Sequence, residues 1–327
     1  MIARSSQGAA IDRASAASVT APPIRFPRRP LPPPRAMSGR KRRWIYPNRG
    51  LIKRLERGAD VFASRHLYPH LLGIWSPYSW QLPRRLVVSE ATLAPRRWPA
   101  RMPPLRVLLL TDLHVGPFLL PSVLHPMLAE LMRLEPDLVA IGGDVISGRA
   151  HDLGGFLEGL AELARAPLGA WFCMGNHEYF SPDPFYVVEQ LRAVGIHTLR
   201  NHAVRLEHGG SRFVLGGLDD LVLGVPDWER LLSAAGAPHV LLAHNPDAFY
   251  EAERRGIGLV LSGHTHAGQI RFPGGPPLVR QSRFCLDEGV MSFGSSLIVV
   301  SRGLGASGLP WRVGARPEAV LLTIRPG

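Results

Sequence analysis

The stretch "LRVLLLTDLH", residues 105–114, is an apolar run that ends in two side chains able to bind a metal. A short apolar run bounded by polar residues is typical of a strand buried on both faces of a parallel sheet. Asp112 and His114 follow it, two residues apart. If the backbone is still extended there, both side chains project to the same side, because the side-chain period of a strand is two. We therefore predict a buried strand with a ligand pair at its carboxyl end.

The same pattern recurs along the chain. Asp144 ends "DLVAIGGD", Asn176 and His177 stand in "GAWFCMGNHE", His244 follows the apolar run of "HVLLAHNPD", and His264 and His266 end "GLVLSGHTH". In open α/β sheets the carboxyl ends of the strands form the rim where ligands bind. We expect five strands to bring carboxylate, amide and imidazole groups to one rim.

Helical patterns separate several of these runs and set the fold class. They cover residues 122–134, 153–164, 184–194, 227–235 and 248–254. Strands that alternate with helices predict an α/β fold with parallel stretches. "RFVLGGLDD", "SLIVVSRG" and "AVLLTI" add strands, the last two expected to pair antiparallel, and "RRLVVSEATL" is predicted to be an edge strand.

Each polar group also has an ordinary explanation. An Asp after a strand is often a helix N-cap or a turn former, which would account for Asp112 or Asp144 alone. A single His such as His244 is more often structural than a ligand. These explanations must all hold at once to account for the pattern, so we favour a metal site.

Two divalent cations about 3.5 to 4 Å apart can clamp a phosphate and acidify a water between them. Such a site needs a carboxylate that bridges the cations, together with mixed nitrogen and oxygen ligands, which suit Mn, Fe or Zn. Asp144 follows two glycines that allow close backbone approach, and it is the natural bridge.

The motifs "DLH", "GGD", "GNHE", "AHNPD" and "GHTHAGQ", in this order, resemble those of the calcineurin-like metallophosphoesterase family. The resemblance covers residues 84–327 and implies a four-layer α/β/β/α sandwich. It implies a first metal bound by Asp112, His114, Asp144 and His266, and a second bound by Asp144, Asn176, His244 and His264. It also implies that His177 faces the substrate and protonates the leaving oxygen, with Glu178 as a candidate orienting partner. Two divalent ions are the expected cofactors, Mn before Fe or Zn.

The tail "VVSRGLGASGLPWRVGARPEAVLLTI" resembles a bacterial, membrane-associated branch that includes UDP-2,3-diacylglucosamine hydrolases of lipid A synthesis. The resemblance implies a lipid-linked pyrophosphate as a candidate substrate. Arg302, Arg312 and Arg316 in the tail are either solvated or phosphate contacts. Arg is suited to bidentate phosphate binding, so Arg302 joins Asn176 and His177 as a candidate substrate-binding residue.

Charge is distributed unevenly along the chain. Residues 1–104 carry a net charge of +16, and residues 105–327 carry −4. We predict a disordered Pro/Arg-rich segment (1–36), a basic amphipathic extension (37–83) and a metallophosphoesterase domain (84–327). Residues 50–75 either pack as a helix on the domain or rest on anionic lipid. The two cysteines provide no disulfide framework.

These observations favour a metal-dependent hydrolase of phosphodiesters or pyrophosphates. A nucleotide or nucleic-acid phosphodiesterase is the alternative, since the basic arm could hold polyanions, although nucleic acid is not the expected partner. A noncatalytic membrane- or protein-binding module on the same fold is the alternative of another class. The chain has no long apolar run and no apolar segment typical of a secretory signal. We therefore expect a cytoplasmic protein with peripheral contact to the inner membrane.

Overall fold

A computed structural model describes residues 24–25, 29–31, 62, 77–272 and 275–327. The predicted amphipathic stretch 50–75 lies outside the described residues, apart from Phe62. Most of the predicted disordered segment 1–36 lies outside them too. Residues 24–25 and 29–30 differ from that prediction, because they form short strands at the edges of the two sheets. The domain boundaries stay predictions.

Six α-helices lie in the described part of the chain. They are α1 (Pro77–Arg85), α2 (Pro121–Met132), α3 (Leu157–Ala161), α4 (Pro184–Ala193), α5 (Trp228–Ala235) and α6 (Phe249–Arg254). The strands up to residue 198 are β1 (Ile24–Arg25), β2 (Arg29–Pro30), β3 (Val87–Leu93), β4 (Leu105–Leu110), β5 (Leu138–Ile141), β6 (Ala170–Phe172) and β7 (Ile196–Thr198). The later strands are β8 (His202–His208), β9 (Ser211–Gly217), β10 (Val240–Leu242), β11 (Leu259–Ser262), β12 (Gly289–Phe293), β13 (Ser296–Val300) and β14 (Glu318–Ile324).

Local chemistry explains where several helices begin. Asp183 and Asp227 cap α4 and α5, since their side chains accept hydrogen bonds from the backbone N–H of Tyr186 and Arg230. A proline stands in the first turn of α2 and of α4, where no N–H is needed. The predicted helix 153–164 is instead one turn of α-helix, α3, between two 3-10 segments.

The strands form two seven-stranded sheets. The first has the order β1-β3-β14-β4-β5-β6-β7, and the second has the order β2-β12-β13-β11-β10-β9-β8. Strands β4 to β7 run parallel, as do β9, β10, β11 and β13. The two late strands were expected to pair antiparallel, and each does so with one of its two neighbours: β13 with β12, and β14 with β4. Each pairs parallel with its other neighbour, β13 with β11 and β14 with β3. Strand β3 is not outermost, because the two-residue β1 flanks it.

Three buried apolar clusters show how the layers stack. One joins the inner faces of the two sheets, for example Leu109 and Leu138 with Leu242 and Leu261. A second packs α1 to α4 on the outer face of the first sheet, and a third packs α5 and α6 on the second sheet. The order of layers is helix, sheet, sheet, helix, so the predicted four-layer α/β/β/α sandwich is confirmed. No helix among the described residues is long and apolar enough to cross a membrane.

Candidate metal centre

The seven predicted metal ligands and the predicted proton donor His177 lie after the carboxyl ends of β4, β5 and β6 in the first sheet and of β10 and β11 in the second. The eight residues are Asp112, His114, Asp144, Asn176, His177, His244, His264 and His266. Each is at most 8% exposed. These side chains are up to 154 positions apart in the sequence, and the two facing sheets bring them together at one end of the molecule.

Asp112, His114 and His266 form a first group, with one donor atom from each within 4.8 Å of the others. The Nε2 atoms of His114 and His266 are 3.0 Å apart. His266 Nε2 is 3.4 Å from Asp112 Oδ1. The backbone N–H of His264 donates to both oxygens of Asp112, so the last motif fixes the carboxylate of the first.

Asp144, His244 and His264 form a second group of the same kind. His244 Nε2 is 3.1 Å from Asp144 Oδ2 and 3.2 Å from His264 Nδ1. His244 Nδ1 lies 2.8 Å from the carbonyl oxygen of Gly142, which orients the ring with Nε2 toward the cluster. A second-layer carbonyl in this position is how proteins commonly fix the orientation of a ligating imidazole.

Asp144 connects the two groups. Its Oδ2 is 3.8 Å from His114 Nε2 of the first group and 3.1 Å from His244 Nε2 of the second. Its Oδ1 accepts a hydrogen bond of 2.8 Å from the backbone N–H of His177. One donor atom each of His114, Asp144 and His177 also lies within 4.8 Å of the others. The carboxylate that the sequence singled out as a bridge thus lies between the two sets of imidazoles.

His177 is the most exposed member of the cluster, at 8%. Its Nδ1 is hydrogen-bonded to the carbonyl oxygen of Ser147, and since a carbonyl only accepts, Nδ1 carries the hydrogen. Its Nε2 is left facing Ser307 Oγ at 3.4 Å. The ring is therefore held with one nitrogen anchored in the protein and the other toward the opening of the site.

Burial controls the charge of the cluster. Burial and the neighbouring His177 and Arg312 hold the pKa values of His114 and His266 well below the usual range, so both rings are neutral and keep a lone pair. Burial raises the pKa of Asp112 to about 6. Burial alone would lower the pKa of His244, but the carboxylate of Asp144 raises it to about 10. Burial alone would raise the pKa of Asp144, but His244, His177 and His114 together hold it well below the usual range.

These donors fit divalent cations. Imidazole nitrogens and carboxylate oxygens converge in two adjacent groups, and this donor set suits Mn, Fe or Zn. Asn176 Oδ1 is buried and has no hydrogen-bond partner among the described residues, although an amide oxygen is a good ligand for a hard cation. A divalent cation would balance the carboxylates and be bound by imidazole nitrogens, which for His244 requires loss of its second proton. The donor set of the cluster therefore fits a divalent metal site.

Comparison with known proteins agrees with this geometry. The family model for the calcineurin-like phosphoesterase matches residues 105–268, which span β4 to the turn after β11. The chain belongs to the calcineurin-like phosphoesterase family. It is accordingly a metal-dependent hydrolase of phosphate esters.

Several relatives align with this phosphoesterase over more residues than the family model covers. An uncharacterized metallophosphoesterase of Bacillus subtilis, YkuE, is 30% identical, and the match covers 83% of this chain and 92% of the relative. Phosphodiesterase YaeI of Escherichia coli is 34% identical, with 68% and 82% covered. A "transmembrane protein with metallophosphoesterase domain" of Danio rerio is 32% identical over 73% of this chain. The match spans only 57% of that relative's length.

Among solved structures, a 5′-nucleotidase precursor from Thermus thermophilus has a similar fold. The TM-score is 0.40 at 16% identity, and the match covers 67% of this chain and 55% of that one. A likeness of this size carries no information about the substrate.

The backbone of the phosphoesterase site differs from our prediction. Asp112 and His114 do not continue the extended strand β4 but have φ values of 51° and 45°. Asp144, His264 and His266 also have positive φ, between 51° and 70°. Non-glycine residues rarely adopt this region, and they concentrate at functional sites where the surroundings enforce it. The pairs reach the cluster through tight left-handed turns, which the sequence pattern did not indicate.

Glu178 does not orient His177, contrary to expectation. Its buried carboxylate accepts hydrogen bonds from the backbone N–H groups of Asp144, Val145 and Gly175, at 2.7 to 3.0 Å. The ring of His177 is oriented by Ser147 instead. Glu178 therefore shapes the loop after β5 that presents Asp144.

Arg312 is neither solvated nor a surface phosphate contact. It is fully buried, and its Nη2 donates to His266 Nδ1 at 2.9 Å. Its Nε and Nη1 donate to the carbonyl oxygens of Gly305 and Arg302, each at 2.7 Å. Our reading of the sequence missed this role, since a glycine-rich tail gives no sign that one of its arginines is buried.

Arg302 is engaged elsewhere. Its Nη2 pairs with the fully buried carboxylate of Glu318 at 2.6 Å. A phosphate would have to compete with Glu318 for this guanidinium. Substrate binding by Arg302 therefore stays a prediction.

Proposed function

We propose that this phosphoesterase hydrolyses a phosphodiester or pyrophosphate at a dinuclear metal centre. The first ion is held by Asp112, His114, Asp144 and His266, and the second by Asp144, Asn176, His244 and His264. The observation that carries the proposal is the position of Asp144 between two groups of buried donors, with imidazoles of both groups within 4 Å of its Oδ2. Mn is the proposed metal. Fe and Zn are alternatives, because imidazole and carboxylate donors bind all three metals.

When bound, the two cations would neutralise phosphate charge and make an attacking water more acidic. The chain's own residues provide the remaining steps. His177 keeps one hydrogen on Nδ1 through Ser147, so the ring acts as a proton donor in its doubly protonated form, which passes its second proton from Nε2 to the leaving oxygen. The amide of Asn176 lies next to His177 in the chain, and we propose that both also contact the phosphate.

For the substrate we propose a lipid-linked pyrophosphate of the kind that UDP-2,3-diacylglucosamine represents. The resemblance of the tail, residues 299–324, to the membrane-associated branch supports it. A place of action at the cytoplasmic face of the inner membrane follows from such a substrate. During cleavage the diphosphate would have to lie at the metal centre while the acyl chains remain outside it. The surface around the site must therefore be able to contact apolar acyl chains.

A substrate panel tests this proposal. Purified full-length protein with added Mn²⁺ is offered an aryl phosphodiester, cyclic nucleotides and UDP-2,3-diacylglucosamine. We expect turnover of the aryl diester and release of UMP from the lipid. Cleavage of cyclic nucleotides without release of UMP would replace the lipid with a nucleotide substrate. No turnover of any compound, with no metal bound, would favour the noncatalytic module.

A further inference from the structure

Large apolar side chains are exposed on three segments beside the metal centre. The segments are α1, residues 269–286 apart from 273 and 274, which lie outside the described residues, and residues 305–316; we call them together the apolar edge. Seven of the eleven large apolar side chains that the described residues expose belong to it: Trp80, Phe272, Leu278, Val279, Leu309, Trp311 and Val313. Exposed fractions range from 45% for Trp311 to 74% for Phe272. Contiguous apolar surface of this kind usually marks an interaction site.

Hydrogen bonds join the three segments into one surface. Ile270 forms β-bridges with Val313 and Gly314, and Arg271 forms one with Pro277. The side-chain amide of Gln81 in α1 pairs with the backbone of Arg312 through two hydrogen bonds of 2.8 and 3.0 Å. The exposed side chains therefore stand on a connected scaffold.

The apolar edge adjoins the catalytic opening. Gln269, three residues after His266, pairs with the backbone of Ser307 through two hydrogen bonds of 2.9 Å. Ser307 Oγ is 3.4 Å from His177 Nε2. A molecule resting on the apolar edge would thus lie next to Nε2 of His177, the nitrogen that faces the opening.

The charge of the apolar edge has one sign. Its three segments contain seven arginines and no Asp, Glu or Lys. Arg271 and Arg280 pair with Glu288 and Asp287, just outside the edge. Arg84 lies 4.7 Å over the ring of Trp80 and, within the described part of the chain, hydrogen-bonds only to the backbone carbonyl of Trp80, so no acidic residue described there neutralises its charge at the surface. Arg85 and Arg316 also donate to backbone carbonyls.

This combination identifies the partner. Apolar and tryptophan side chains flanked by arginine match the boundary between anionic lipid head groups and acyl chains. Arg312 is buried, and Arg271 and Arg280 have acidic partners. Arg84, Arg85 and Arg316 donate to backbone carbonyls, which do not neutralise their charge. A two-fold interface with a second copy of the chain is self-complementary and would place these three arginines against their counterparts, so like charges disfavour it. The amphipathic stretch 50–75 is itself basic and meets the same repulsion.

We propose that the apolar edge docks this protein on an anionic phospholipid surface, with the metal centre opening beside the membrane. This proposal rests on the proposed function, because docking serves catalysis only if the neighbouring centre hydrolyses a phosphate ester carried by the membrane. The acyl chains of such an ester would remain in the bilayer. Its phosphate would need to leave the membrane surface only far enough to reach His177 at the opening of the site.

Co-sedimentation of the full chain with vesicles tests the docking. We expect binding to vesicles of phosphatidylcholine with phosphatidylglycerol, weakened by salt, and little binding to phosphatidylcholine alone. The double variant Phe272→Ser, Leu278→Ser should bind at least about tenfold more weakly, because it removes two large apolar contacts. The matched control Phe185→Ser, Val225→Ser changes side chains of comparable exposure outside the apolar edge and should bind like the unchanged protein.

Hydrolysis of a water-soluble aryl phosphodiester separates the two proposals. Both double variants should keep this activity, since neither touches a metal-binding group. Vesicle binding without hydrolysis by the unchanged protein would overturn the proposed function but not the docking. The docking proposal is wrong if the edge variant binds anionic vesicles as tightly as the control, which would place membrane contact in the N-terminal segment. It is equally wrong if the unchanged protein does not bind them.

Discussion

At the level of single residues, the two ring nitrogens of His177 have different surroundings. Ser147 holds Nδ1, and Nε2 faces the opening. We expect His177→Asn to lower kcat about a hundredfold or more for a diester with an alkoxide leaving group. The loss should be much smaller for a nitrophenolate leaving group, which departs without a proton. Kinetics with the two substrates at equal metal occupancy measure the difference.

His202→Asn is the control, because His202 is exposed at the start of β8. It should leave both rates unchanged. An equal loss for both leaving groups in His177→Asn would show that His177 is not the proton donor.

Gly263 is a second informative residue because of the space it leaves. A Cβ at this position would lie 2.2 Å from Asp112 Oδ2 and 2.6 Å from Thr111 Cβ. Gly263→Ala must therefore displace the Asp112 carboxylate, and we expect metal affinity to fall at least about tenfold. Calorimetric titration with Mn²⁺ measures it. Gly154→Ala, where nothing lies within 4 Å of the added Cβ, is the control, and equal affinities in the two variants would refute the packing argument.

At the scale of elements, Arg312 ties the tail to the turn that presents His266. Its guanidinium is fully buried, and three acceptors depend on it: His266 Nδ1 and two backbone carbonyl oxygens. Arg312→Met would leave these acceptors buried without a donor. We expect the free energy of unfolding to fall by about 3 kcal/mol, measured by urea denaturation.

Arg316→Met is the matched control in the same tail. Arg316 is only partly buried and donates one hydrogen bond from Nε to the carbonyl oxygen of Arg85. Its replacement should cost less than about 1 kcal/mol. If Arg312→Met is no less stable than this control, Arg312 does not support the site as described.

At the scale of the whole molecule, the metal-free protein should lose stability as the pH rises above 7. The folded pKa of His244 is about 10, raised by Asp144 against the effect of burial, whereas a histidine in the unfolded chain has a pKa of about 6.5. The stabilising contribution is complete below the unfolded pKa and is lost as the pH rises through the folded one. The expected slope is on the order of 1 kcal/mol per pH unit between pH 7 and 9.

Metal binding should remove this slope, because His244 must be deprotonated to act as a ligand. Urea denaturation at pH 7 and pH 9, with EDTA or with Mn²⁺, checks both statements. His244→Asn should lose the slope in EDTA. Equal slopes with and without metal in the unchanged protein would count against His244 as a ligand.

Much of the fold and most of the site can be predicted from the sequence, because the decisive signals are local. An apolar run followed by Asp144 or His244 marks both a buried strand and its carboxyl end, and parallel strands bring those ends together. The rest depends on contacts distant in sequence. Arg312 is buried because Gly305 and His266 accept its hydrogen bonds, and Glu178 turns toward the backbone of the loop after β5.

The proposed centre needs two metal ions for activity, and this requirement is tested by measuring metal stoichiometry and turnover in the same titration. The metal-free protein is titrated with Mn²⁺ while bound metal and turnover of an aryl phosphodiester are both followed. We expect two ions per chain, turnover that appears only with the second ion, and a loss of turnover of at least about a hundredfold in Asp144→Asn. Full activity with one ion per chain, or an Asp144→Asn variant as active as the unchanged protein, would contradict it.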